Sequence, residues 1–79
     1  MKVDFSTIRI FVKPGYTDMR KQINALSVHI EEELKHNPLS GDLYIFCGKT
    51  RRKLKIIYWD RNGFCMWQKR LEQDRFPWP

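Results

Sequence analysis

Two apolar runs, Leu54 to Trp59 and Phe64 to Lys69, are separated only by Asp60-Arg61-Asn62-Gly63. So short a gap forces the runs to return antiparallel, and their β-branched and aromatic residues suit the pleated, half-buried surface of strands. The connection fits a type I turn closed by Gly63 in the left-handed conformation, giving a three-residue loop with a bulge. That loop sets a register. Asp60 would face Phe64, the pairs Trp59/Cys65, Ile57/Trp67 and Lys55/Lys69 would share one face, and Tyr58/Met66 and Ile56/Gln68 would share the other. Both faces of the hairpin are then largely apolar, and both need cover.

The rest of the chain supplies cover for one of them. Ile8, Ile10 and Val12 alternate with Arg9, Phe11 and Lys13, the period-two signature of a strand with one dry face, and Pro14-Gly15 ends it. Thr17 then offers a hydroxyl as N-cap, with Asp18 in a first turn whose dipole favours negative charge. Met19, Ile23, Leu26, Ile30 and Leu34 recur at spacings of four, three, four and four, which traces one stripe of a helix running to about Lys35, stopped by Asn37-Pro38. Leu43 to Cys47 reads as another strand. The expectation is an α+β fold: one small domain over residues 1–79, elements in the order β-α-β-β-β, a mainly antiparallel sheet and one helix packed on one face. The second face is covered either by the tail around Phe76 and Trp78 folding back or by a dimer or partner interface, for which Trp59 and Trp67 are the candidate contacts.

At 79 residues the chain holds one core and buries only about 60 to 65% of its unfolded surface. Its 42% hydrophobic and 14% aromatic content is too apolar for a disordered chain. No stretch approaches a membrane span, and Met1-Lys-Val-Asp-Phe-Ser lacks the apolar core of a signal peptide, so a cytoplasmic location with no membrane partner is expected. Cys47 and Cys65 lie in strand-like runs without Cys-x-x-Cys spacing and read as buried thiols.

The net charge of +6 is unevenly placed. Residues 1–48 carry six Lys/Arg against six acids, whereas residues 49–79 carry nine against three, so the entire excess lies in the C-terminal part. Asymmetry of this kind points to a polyanion facing one side of the molecule. Its densest part is Gly48-Lys-Thr-Arg-Arg-Lys-Leu-Lys55, where Lys49, Arg51, Arg52, Lys53 and Lys55 gather at an expected turn. Cations at a hairpin tip can straddle phosphates, with Trp59 or Trp67 as a stacking surface. Arg61, Lys69 and Arg70 complete the candidate nucleic-acid-binding set; the alternative is a solvated loop whose charges serve solubility. Arg20-Lys21, at the helix start with Thr17, could hold a phosphate or pair with nearby acids. His29 and His36 lie seven apart on the helix and read as a solvated flank in preference to a metal site.

For catalysis one looks for converging acids or a nucleophile with its base. Asp42 and Asp60, both at strand ends, could be imagined as a two-metal nuclease site, but acids there are ordinarily turn residues. No Gly-rich phosphate loop, nucleophile elbow or zinc motif occurs, so the chain reads as a binding protein without a cofactor or metal, and not as an enzyme.

Five blocks, Gly15-Tyr-Thr-Asp-Met-Arg-Lys21, Asn37-Pro-Leu-Ser-Gly-Asp-Leu-Tyr-Ile-Phe46, Leu54-Lys-Ile-Ile-Tyr-Trp-Asp60, Gly63-Phe-Cys-Met-Trp67, and Lys69-Arg-Leu-Glu72 with Arg75-Phe-Pro-Trp-Pro79, resemble the TnpB proteins of the insertion sequence 66 family, the products of the element's second open reading frame. The resemblance covers nearly the whole chain. It implies an accessory protein of DNA transposition, encoded beside a larger transposase that carries the catalytic acids, with DNA and that transposase as partners. The family's Thr-Asp-Met-Arg motif falls on Thr17, Asp18, Met19 and Arg20, without an assigned role, and its basic hairpin falls on Lys49 to Lys55. Two departures stand out. Members commonly continue roughly 30 to 40 residues beyond the Trp-Pro at which this chain stops, a length sufficient for another element or two. Position 47 is Cys where relatives often have Arg.

Overall fold

A computed structural model describes residues 8–79; the reading of the first six residues therefore lies outside the described ones. The element order is the expected one: β1 (Ile10–Val12), α1 (Ile23–Glu32), β2 (Leu43–Cys47), β3 (Lys53–Asp60) and β4 (Gly63–Arg70). The strands form one sheet in the order β1-β2-β3-β4. β1 and β2 run parallel, as strands joined through a helix do, while β2/β3 and β3/β4 are antiparallel hairpins.

The helix lies on one face. Leu26 and Ile30 pack with Tyr44, Phe46 and Ile57 in the fully buried core, flanked by Phe11, Met19, Ile23, Leu34, Phe64 and Met66. The stripe read from the sequence is therefore the buried stripe. Each fully buried Leu or Ile contributes about 1.5–3 kcal/mol by leaving water. The helix itself is shorter than its periodicity suggested. It begins at Ile23 with Gln22 at the N-cap and no side-chain cap bond. Thr17 does not cap it: its N–H donates to the Cys47 carbonyl at 2.8 Å, so the chain tracks β2 past Pro14 before turning. Asp18 instead accepts from the Arg20 N–H at 2.9 Å, and its carbonyl accepts from the Lys21 N–H, closing a separate turn ahead of the helix. Sheet pairing has won over a cap worth about 1 kcal/mol. At the other end Lys35 takes a positive φ of 58° and releases the chain into an Asn37 turn, where the Asn37 side chain accepts from the Leu39 N–H.

The hairpin register differs from the expected one by a residue. Asp60 pairs with Gly63, Trp59 with Phe64, Ile57 with Met66, Ile56 with Trp67 and Lys55 with Gln68. The loop holds two residues, and Arg61, with φ 53°, takes the positive-φ position assigned to Gly63. An Asn62 N–H to Asp60 carbonyl bond closes a γ-turn over it. The slip reverses the face of every β4 side chain. Phe64 and Met66 turn toward the helix, and Trp67, 67% exposed, turns away from it. Trp59 and Trp67 therefore lie on opposite faces; Trp59 meets Phe64 edge to face at 5.1 Å.

The helix-free face is partly covered by the tail. After β4 the Leu71 N–H donates to Arg52, the Phe76 N–H to Arg51, and the Gly15 N–H to the Pro79 carbonyl. The Trp78 indole N–H lies 3.1 Å from the Lys13 carbonyl and 3.0 Å from the Gly15 carbonyl. The tail thus crosses one end of the sheet from β4 to β1. At that end Cys47 faces away from the helix and is fully buried.

The two histidines are not a solvated flank. His29 is buried edge-on against Phe46, and His36 stands edge to face with Phe11 at 4.3 Å.

Candidate nucleic-acid interface

The β2–β3 connection is a turn of definite shape. The Gly48 N–H bonds the Lys53 carbonyl at 3.1 Å, the Arg51 N–H bonds the Gly48 carbonyl at 2.9 Å, and Arg51 has a φ of 60°. Lys49, Thr50 and Lys53 are exposed, and Arg51 and Arg52 are half-buried. The Arg52 guanidinium donates to the Glu72 carbonyl at 2.9 Å, which ties the turn to the tail.

The segment Thr17 to Arg20 sits directly against this turn. A Cβ added to Gly48 would fall 2.6 Å from Met19 Cγ, so position 48 accepts only a hydrogen where Met19 crosses it. Between the two segments runs an open groove lined by Tyr16, Thr17, Asp18, Met19, Gly48, Lys49, Thr50 and Lys53. Tyr16, 53% exposed, is the aromatic side chain lining this groove. Trp59 and Trp67, the aromatics expected near the turn, lie farther along β3 and β4, opposite Phe64 and Ile56, whereas Tyr16 of the Gly15–Lys21 block lines the groove. Asp18 adds little net negative charge to the groove. The Arg20 guanidinium holds its carboxylate at 2.7 Å and, with the Arg20 N–H, keeps the carboxyl well below the usual carboxylate range. The Thr17 hydroxyl is buried and has no hydrogen-bond partner.

The remaining basic residues separate from one another. Lys55 does not project with the turn: it is 2% exposed on the helix face, in line with Ile57, and its ammonium donates to the Lys21 carbonyl at 2.7 Å. Burial pushes its proton affinity below that of an ordinary lysine, with Lys53 adding repulsion and Asp18 opposing both. The expectation that five cations gather at the tip is thus corrected at Lys55; of the other four, Lys49 and Lys53 line the groove and Arg52 is tied to the tail. Arg61 stands at the far end of the eight-residue β3, roughly 24 Å away. Lys69 and Arg70 are exposed near the basic turn, with Arg70 paired to Glu72 at 3.0 Å.

Of the two acids considered for metal chemistry, Asp42 has another role. The Asp42 carboxylate takes the Arg9 N–H at 3.0 Å on one oxygen, and the Arg9 guanidinium at 3.1 Å and the Ser40 hydroxyl at 3.0 Å on the other. Burial alone would raise its pKa, but these donors together hold it below the ordinary value. Among the described residues no group of three or more His, Cys, Asp or Glu is placed to hold a metal, and no helix is long and apolar enough to cross a membrane.

Comparison with known proteins adds a family to this geometry. The family model described as IS66 Orf2 like protein matches residues 8–79. The chain is 42% identical over 72 residues to an uncharacterized protein, y4hO, of Sinorhizobium fredii, which covers 91% of this chain and 63% of that protein. It is 33% identical over 72 residues to a second, y4jC, of the same organism, covering 91% and 62%. The chain thus spans a little under two thirds of the length of the curated relatives it matches. No solved structure matches it.

Proposed function

The chain belongs to the IS66 Orf2 like protein family, and on that premise we propose that it is a non-catalytic accessory of insertion-sequence DNA transposition that grips the DNA backbone through the β2–β3 turn. The observation that carries this reading is the cluster of Lys49, Arg51, Arg52 and Lys53 on one rigid turn, in a chain whose whole charge excess lies in residues 49–79. Cations held on a closed hairpin lose little freedom when they meet phosphates, and Tyr16 beside them offers a ring to a base or sugar. Contacts from these cations to phosphates position the protein on the duplex and carry no sequence information themselves. The strand-cutting chemistry belongs to a separate transposase.

The test is a salt titration with duplex DNA. Four phosphate contacts give a log-log slope of about −3.6, or roughly −0.9 for each contact. Absence of binding at low salt, or binding indifferent to charge reversal at Lys49 and Lys53, refutes the reading. A second reading, in which the protein docks on the transposase, is favoured by the exposure of Trp67 on the helix-free face. Co-purification with the transposase that is lost in a folded Trp67→Ala variant would support it, and retention would exclude this contact.

A further inference from the structure

Among the described residues β4 is the outer strand of the sheet and its unpaired edge is eight residues long, whereas the opposite edge, β1, has three. Which backbone groups are free follows from one bond. The Leu71 N–H donates to the Arg52 carbonyl, which makes Arg52/Leu71 a hydrogen-bonded pair in the β3/β4 register. Hydrogen-bonded and non-bonded pairs alternate in an antiparallel ladder, so positions 69, 67, 65 and 63 also point their N–H and C=O groups at β3. Phe64, Met66, Gln68 and Arg70 therefore point theirs outward. This row of four is evenly spaced and centred on Trp67.

From this edge we infer that β4 is a self-association site, pairing antiparallel with β4 of a second copy about a two-fold axis through Trp67. A two-fold axis normal to the sheet keeps the helix faces together, which requires paired positions of like parity, and the only register that overlaps the whole outward row is the one centred on Trp67. Phe64 then lies opposite Arg70 of the second copy, Met66 opposite Gln68, Cys65 opposite Lys69, and Trp67 opposite itself. No cation faces a cation. Arg70 meets an aromatic ring, a favourable cation–π geometry. Trp67 falls at a non-bonded pair, where opposing side chains are closest, and the most exposed large apolar side chain among the described residues becomes covered by its own copy. Such edges are ordinarily blunted by charge, but here Lys69 and Arg70 guard only the C-terminal half and the stretch Phe64 to Trp67 carries none. The pairing extends the sheet to eight strands.

Sedimentation of the full chain from micromolar to near-millimolar concentration tests this. The mass should rise toward twice the 9.6 kDa of one chain. Two copies of net charge +6 repel, so association should strengthen as salt rises, the opposite of DNA binding. Gln68→Pro removes an outward N–H and no β3 bond, a replacement tolerated on an edge strand. It should leave the circular dichroism and thermal midpoint unchanged and weaken association at least tenfold. In a Cys65→Ser background, Trp67→Cys should cross-link to itself on oxidation and Lys69→Cys should not, because Lys69 faces position 65 of the other copy. A wild-type chain that stays monomeric throughout, or grows only when a polyanion is added, overturns the proposal. So does a folded Gln68→Pro variant that associates as tightly as wild type, or equal cross-linking at positions 67 and 69.

Discussion

Gly48→Ala isolates the contact between the Thr17–Arg20 segment and the basic turn. The added methyl would sit 2.6 Å from Met19 Cγ, about 1 Å inside the usual carbon–carbon separation. Cγ is only the second atom of the Met19 side chain, so relief needs a new χ1 or a backbone shift, and Met19 is held against the core. Overpacking of this kind costs about 1–3 kcal/mol. Gly48 does not have a positive φ, so alanine there also stiffens the unfolded chain, which returns about 0.4–1 kcal/mol. The net expectation is a loss of about 1–2 kcal/mol, seen as a lower urea midpoint at unchanged m and a fall of about 4–8 °C per kcal/mol in thermal midpoint. Met19→Ala removes the obstructing atom. In that background the same Gly48→Ala change should cost nothing or stabilise slightly, giving a coupling of about 1.5–3 kcal/mol in the double-mutant cycle. Additive effects would refute the claim that Met19 is what excludes a side chain at position 48.

Three further outcomes are expected. Stability should fall as pH drops below about 6.5: burial against Phe46 lowers the His29 pKa, Lys21 and Lys13 push the same way, and Glu33 at 3.5 Å only partly opposes. The unfolded chain then takes up a proton first, by up to about 1.4 kcal/mol per pH unit, and His29→Phe should flatten urea midpoints compared between neutral and mildly acidic pH. Lys55→Met should leave the salt slope of DNA binding unchanged, whereas Lys53→Met should reduce it by about 0.9; equal effects would contradict the burial of Lys55. Trp78→Ala removes the donor shared by Lys13 and Gly15, and should speed reaction of Cys47, whose pKa burial raises, with a thiol reagent; an unchanged rate would show that the tail does not shield it.

Much of this architecture was legible in residue order. Alternation located β1, helical spacing α1, and short β-branched and aromatic runs between turn signals located β2, β3 and β4, and the stripe Ile23, Leu26, Ile30 packs into the core. The misreadings have identifiable physical sources. Phe64, Cys65, Met66 and Trp67 are all apolar, so alternation could not choose between two registers one residue apart, and the choice fell to whether Arg61 or Gly63 took the positive φ. Thr17 had good cap chemistry, but its N–H was claimed by Cys47 on β2, a partner thirty residues away that no local pattern reveals. Lys55 was different, because its phase with Ile57 already placed it on a dry face. Counting it with the turn ignored a signal that was present. Tyr16 and the groove depend on Met19 crossing Gly48, which only the three-dimensional structure brings together.

The tail also determines where the molecule can be handled. Because the Pro79 carbonyl is bonded to the Gly15 N–H, a fluorophore, affinity tag or surface linker attached after Pro79 would emerge beside Tyr16, at the mouth of the basic groove. Such an attachment would compete with any phosphate approaching Lys49 and Lys53. The Arg61-Asn62 turn, roughly 24 Å away along β3, lies clear of that groove. Immobilised through that turn, the molecule would present its charged end to solution; held by its tail, it would present the wrong one.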